Sequence, residues 1–76
     1  MYICRLSSAS TDPKPEIRVK ATSFDEAIDM AIRAFRNDPD FSPPAVRATI
    51  HAYQVTQQGI NEEDAGYRFI LPDDWD

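Results

Sequence analysis

Reactive and metal-binding side chains are scarce in this 76-residue sequence. It has one cysteine, Cys4, and one histidine, His51. A single cysteine excludes an internal disulfide, and one thiol with one imidazole is too few for the usual structural zinc sites. The acidic stretches also lack the residue spacing of a calcium-binding loop. We therefore expect neither a metal site nor a cofactor.

Glycine and long apolar runs are scarce as well. Two glycines, without a glycine-rich stretch, cannot form a loop that cradles phosphate groups. No apolar run approaches the roughly 20 residues that a membrane-spanning helix needs. The first residues also lack the basic and then apolar pattern of a signal peptide. These absences predict a cytoplasmic protein with no membrane association.

The length sets a further limit. A chain of 76 residues forms one small domain, residues 1–76. A domain of this size buries only about 60% of the surface that its unfolded chain exposes. It has little room for a deep pocket, so we expect no small-molecule substrate and no enzymatic activity.

A helix is predicted in the middle of the chain. Ser23 and Glu26 have the spacing of a capping box, in which each side chain binds the backbone amide of the other residue. Asp29 and Arg33 have the spacing of an intrahelical ion pair. Pro39 predicts the end of the helix. The residues at the spacing of one buried helix face are Phe24, Ala27, Ile28, Ala31, Ile32 and Phe35.

Four other segments alternate between apolar and polar residues, which is typical of half-buried antiparallel strands. The predicted helix-facing residues are Tyr2, Cys4 and Leu6; Ile17, Val19 and Ala21; Val46, Ala48, Ile50 and Ala52; and Tyr67, Phe69 and Leu71. The order strand, strand, helix, strand, strand predicts an α+β fold. In this two-layer ββαββ arrangement, one helix packs on a four-stranded antiparallel sheet.

The same alternation predicts a basic surface on the opposite side of the sheet. Arg5 and His51 belong to it, and His51 is thereby separated from the inward-facing Cys4, which argues against a Cys–His nucleophile. Basic and aromatic side chains on an open sheet can bind single-stranded nucleic acid. The candidate residues for that alternative are Arg18, Lys20, Arg47, Tyr53 and Arg68. The default interpretation of such basic side chains is that they keep the exposed sheet face soluble and discourage edge pairing; alternatively, the acidic chain end folds over them.

The net charge of −5 arises entirely from residues 62–76. The first 61 residues have seven acids and seven bases, whereas the last 15 have six acids and one base. One acidic cluster lies in a predicted loop between the last two strands, from about residue 56 to residue 66, where a single helical turn is also possible. The other lies in a C-terminal tail, residues 72–76. Carboxylates at such spacing attract basic surfaces and imitate phosphates.

This charge distribution predicts a protein partner with a basic, nucleic-acid-handling surface. Trp75 is either a contact for that partner or a core residue that anchors the tail. The predicted partner-binding residues are Glu62, Glu63, Asp64, Asp73, Asp74, Trp75 and Asp76.

Two resemblances to known families add to this interpretation. Residues 21–32, which lead from a strand into the capped helix, resemble part of the antitoxins that neutralise messenger-RNA-cutting toxins. That resemblance implies a regulatory module, which could also dimerise through a strand edge. The whole chain is similar in size, acidity and element order to phage anti-CRISPR proteins. This second resemblance implies a non-catalytic inhibitor that binds a CRISPR effector complex in the cytoplasm of the host cell.

Overall fold

The computed structural model of the chain describes residues 1–8 and 15–75, and these form one helix on one face of an antiparallel sheet. The elements are β1 (Tyr2–Ser7), β2 (Glu16–Val19), α1 (Phe24–Asn37), β3 (Ala48–Thr56), β4 (Gly59–Ile70) and a 3₁₀ turn (Pro72–Trp75). The strand order is β2-β1-β3-β4, and each neighbouring pair is antiparallel. The predicted α+β ββαββ fold is confirmed. Within the described residues, no helix is both long and apolar enough to span a membrane.

Helix α1 begins where the capping pattern predicts. The Ser23 hydroxyl accepts a hydrogen bond from the Glu26 amide at 3.2 Å, which satisfies one of the free amides of the first turn. The Glu26 carboxylate, predicted to bind the Ser23 amide, accepts the Thr22 hydroxyl at 3.0 Å. The helix ends at Asn37, and the Asp38 amide donates to the Phe35 carbonyl at 3.2 Å.

The hydrophobic core lies between α1 and the sheet. Its sheet side includes the helix-facing residues predicted for β1, together with Ala48, Ile50 and Ala52 of β3. Because the side chains of the two alanines are short, the helix can pack close to the middle of the sheet. Val46 is an exception to the prediction, because it precedes β3 and is exposed.

The side chains of strand β4 lie on the opposite sides of the sheet from those that the sequence predicted. Ile50 lies opposite Arg68, and Thr49 lies opposite Phe69. Because paired residues share a face, Arg68 and Ile70 lie on the helix side, and Tyr67 and Phe69 lie on the open side. The prediction for β4 was therefore wrong, since a shift by one residue moves every side chain of a strand to the other face.

The acidic residues between the last two strands are part of β4 and not of a long loop. A tight turn at residues 57 and 58 leads into Gly59, whose φ of +113° favours glycine. Gln54 then pairs with Asn61, but Tyr53 pairs with Ala65. Residues 62–64 therefore bulge out of the ladder, and the predicted long loop and helical turn were both wrong.

Candidate binding surface on the open sheet face

Four aromatic rings form a continuous row across the face of the sheet that α1 leaves uncovered. His51 and Tyr53 of β3 have ring centroids 6.2 Å apart, and His51 lies 6.1 Å from Tyr67 of β4. Tyr67 in turn lies 5.6 Å from Phe69. We call these four side chains the aromatic row. Tyr67 and Phe69 are its most exposed members, at 63% and 52%.

The row follows from the register of β3 and β4. His51 and Tyr67 are directly opposite each other, and Thr49 is opposite Phe69. Alternation then places Tyr53 on the same face as His51. Ile3 of β1 lies opposite Tyr53 and is only 1% exposed, so it supports the row from the neighbouring strand. The rings are thus held on regular strands of a packed sheet.

An arginine lies at each end of the aromatic row. The Arg5 guanidinium carbon is 5.3 Å from the centre of the Tyr53 ring, and that of Arg47 is 4.6 Å from the centre of the Phe69 ring. Both distances are within the range of a cation–π interaction. These contacts restrict the orientation of the two outer rings and place a guanidinium group at each end of the row.

Acidic side chains neutralise one of these arginines. The Arg5 Nε donates to Glu16 Oε2 at 2.7 Å, and an Arg5 terminal nitrogen lies 3.7 Å from Glu62 Oε1. The hydrogen bond to Glu16, opposed in part by desolvation, raises the pKa of Arg5. Glu62 belongs to the bulge in β4, so the acidic bulge (Glu62, Glu63 and Asp64) borders the Tyr53 end of the row. Within the described residues, no ion pair involves Glu63 or Asp64.

The structure places Arg18, Arg47 and Tyr53 of the predicted nucleic-acid site on the open face, but not Arg68. Tyr53 and Arg47 contribute to the open face, and Arg18 is exposed on β2 opposite Ile3. Lys20 is exposed just after the end of β2.

Arg68 lies on the other side of the sheet, so its placement in the predicted nucleic-acid site was wrong. It donates to Asp29 at 2.6 Å and to Asp25 at 3.3 Å. The hydrogen bond to Asp29 is the main cause that raises the pKa of Arg68. Asp29, predicted to pair with Arg33, therefore ties β4 to α1.

The C-terminal residues pack against the domain. Trp75 is 4% exposed, and its ring centroid lies 5.2 Å from that of Phe41, which stacks on Phe35 at 5.3 Å. An Asp74 carboxylate oxygen accepts the Leu71 amide at 2.8 Å, which holds the 3₁₀ turn. The role of Trp75 as an exposed partner contact does not fit this burial. Asp73 is exposed, and Asp76 lies outside the described residues.

The sheet also separates the thiol from the imidazole. Cys4 is fully buried and donates to the Ala27 carbonyl at 3.5 Å, while His51 belongs to the open face. Burial raises the pKa of Cys4 to about 11, so the thiol is protonated at neutral pH. No group of metal-binding side chains occurs among the residues that the structure describes.

Comparisons with protein-family models, with curated proteins and with solved structures found no match to this chain. The aromatic row, its two arginines and the acidic bulge are therefore the features on which a functional proposal can rest.

Proposed function

We propose that the protein is a non-catalytic binding module that docks a basic protein surface onto its open sheet face. The aromatic row is the centre of the interface, and the acidic bulge is part of its rim. The observation that carries this proposal is the exposure of Tyr67 and Phe69, at 63% and 52%, on a strand of the sheet.

The composition of the face supports a protein partner. Tyrosine, arginine and other large side chains at the centre of an interface provide most of its binding energy. Here two exposed rings continue into the partly covered His51 and Tyr53, with Arg47 against Phe69. A contiguous apolar patch bordered by charges is typical of a protein-binding surface.

The charge of the molecule indicates the chemistry of the partner. The net charge is −5, and Glu63 and Asp64 next to the row are exposed. Such a protein repels polyanions and associates faster with basic surfaces. Nucleic-acid-handling proteins have surfaces of that kind, and we propose a CRISPR effector complex, which the resemblance implies, as the partner. The binding residues are then the row and the bulge, with Asp73 outside this face.

Replacing Tyr67 and Phe69 together by serine should remove most of the affinity for the partner. Interface rings at the centre of a contact each contribute about 2 kcal/mol or more, so loss of both should lower the affinity by about 1,000-fold when the two contributions add. The measurement is quantitative mass spectrometry of proteins that the immobilised chain retains from an extract of its native host. The matched control is Gln57→Ser with Gln58→Ser, in the exposed turn before β4. Equal retention by both double variants would refute the proposed interface.

A second candidate function is the binding of single-stranded nucleic acid. It is favoured by one observation: Arg47, which has no ion pair among the described residues, lies against the exposed Phe69, an arrangement that suits base stacking combined with phosphate attraction. Fluorescence anisotropy with labelled single-stranded RNA and DNA at low salt distinguishes the two. If the wild type binds nucleic acid and the Tyr67→Ser and Phe69→Ser variant does not, nucleic acid and not a protein is the partner of the open face. If the wild type does not bind, this candidate function is excluded.

A further inference from the structure

Strand β4 forms one edge of the sheet. A groove lies along this edge, on the side of the sheet that α1 covers. The strand has β3 as its only neighbour in the sheet that the described residues form. An exposed edge strand offers unpaired backbone groups that can pair with another strand. Between this edge and α1 lies an open groove of about 500 Å³, with Ile32 and Ile70 among its lining residues. Leu71, directly after β4, is 53% exposed.

Helix α1 and strand β4 run in the same direction along this groove. Gly66 lies against Phe24 at the start of the helix, and Arg68 binds Asp29 one turn later. Ile70 and Asp74 then line the groove together with Arg36, close to the end of the helix. Positions along β4 therefore correspond to positions along α1.

The charges of α1 are separated along the same groove. Asp25 and Asp29 lie in its first half, and their side chains are 90% and 59% exposed even though Arg68 binds both. Arg33 and Arg36 lie in its second half and line the groove. No ion pair involves either arginine within residues 1–8 and 15–75. The helix therefore contributes two carboxylates at one end of the groove and two guanidinium groups at the other, while Arg68 and Asp74 each add one opposite charge to these ends.

We propose that β4 pairs with β4 of a second copy of this chain, so that two molecules form a symmetric dimer with one continuous sheet. In an antiparallel two-fold pairing, the acidic half of each α1 lies across the joined grooves from the basic half of the other. The surface is thus self-complementary, as an isologous interface requires. Asp25 and Asp29 of one copy then face Arg33 and Arg36 of the other across the joined grooves, which places opposite charges on the two sides.

This proposal does not depend on what binds the open sheet face. Edge-to-edge pairing leaves both aromatic rows uncovered on the same side of the joined sheet. The dimer would present two docking surfaces to a partner, and so its loss would lower avidity without removing the binding site.

Sedimentation equilibrium of the full chain tests the dimer. We expect the wild type to be largely dimeric at about 100 μM. Arg33→Glu with Arg36→Glu should weaken the dimer by about tenfold or more, because both halves of the groove become acidic. The matched control is Arg18→Glu with Lys20→Glu on and after β2, which changes the net charge equally at the other edge. That control should dimerise much more tightly than the groove variant.

A charge-exchange experiment adds a gain of binding as a readout, and circular dichroism of each variant first establishes that it is folded, because Asp25 and Asp29 also bind Arg68. Asp25→Lys with Asp29→Lys should also be monomeric, while a 1:1 mixture with Arg33→Glu and Arg36→Glu should recover a dimer close in affinity to the wild type. A monomeric wild type, equal weakening by the β2 control, or a mixture that stays monomeric would each overturn the proposal.

Discussion

Replacing Trp75 by alanine is expected to lower the free energy of unfolding by about 3–5 kcal/mol. The tryptophan is 4% exposed and packs on Phe41, which stacks on Phe35 of α1. Removing the indole leaves a cavity where the 3₁₀ turn joins the core. Small domains have about 0.05–0.15 kcal/mol of stability per residue, so this loss is a large part of the total. Urea unfolding followed by circular dichroism measures it.

Two further variants separate the packing of the tail from its charge. Trp75→Phe keeps a ring against Phe41 and should recover part of the lost stability. Asp73→Asn, at an exposed position of the same turn, should change the free energy of unfolding by less than about 0.5 kcal/mol. If Trp75→Ala unfolds at the same urea concentration as the wild type, the tail is not part of the core.

Replacing Gly66 by alanine should also be strongly destabilising, by about 1–3 kcal/mol, and valine should cost more. Gly66 lies on the helix-facing side of β4, opposite Ala52. A Cβ at this position would lie 2.7 Å from the Cβ and 2.8 Å from the Cγ of Phe24. The Cβ of Phe24 is attached directly to the helix backbone and does not move when the side chain rotates, so α1 would have to move from the sheet.

A double-mutant cycle with Phe24 tests that cause. In the Phe24→Gly background, neither the Cβ nor the ring of residue 24 remains, and the cost of Gly66→Ala should largely disappear. Gly59→Ala is the matched control, since its cost comes from the φ of +113° and no atom lies within 4 Å of the new Cβ. Its cost should be the same in both backgrounds. A cost for Gly66→Ala that does not depend on Phe24 would contradict the close packing.

The sequence was sufficient to predict the helix, the order of the elements and the faces of β1 and β3. The Ser23 cap and the apolar spacing from Phe24 to Phe35 are local signals, and they depend on no distant contact. The alternation in β3 is equally clear, because Ala48, Ile50 and Ala52 are separated by polar or aromatic residues.

Alternation alone could not predict which residues of β4 face the helix, because both sets of alternate residues contain apolar side chains. Tyr67 and Phe69 form one set, and Arg68 lies between them in the other with Ile70. An arginine on the helix side is stable because two helix carboxylates bind it, and that contact spans 39 residues for Asp29. One available signal was Gly66, which shares a face with Arg68 and suits a strand directly beneath a helix.

The two acidic clusters differ in how much the sequence revealed. Their charge was evident, but the bulge at residues 62–64 depends on the register between β3 and β4, which a local pattern does not specify. The burial of Trp75 depends on Phe41, more than 30 residues earlier in the chain. Long-range contacts of this kind decide which acidic residues border the aromatic row.

Site-specific photo-crosslinking from position 69 tests most directly whether the open sheet face is the docking surface. Benzoylphenylalanine in place of Phe69 keeps an aromatic side chain at a site that is 52% exposed. Irradiation in cells of the native host should produce one dominant adduct with a basic, nucleic-acid-handling protein, and the same group at exposed Thr22, before α1, should not. The absence of an adduct from position 69, or an equal adduct from position 22, would contradict the account.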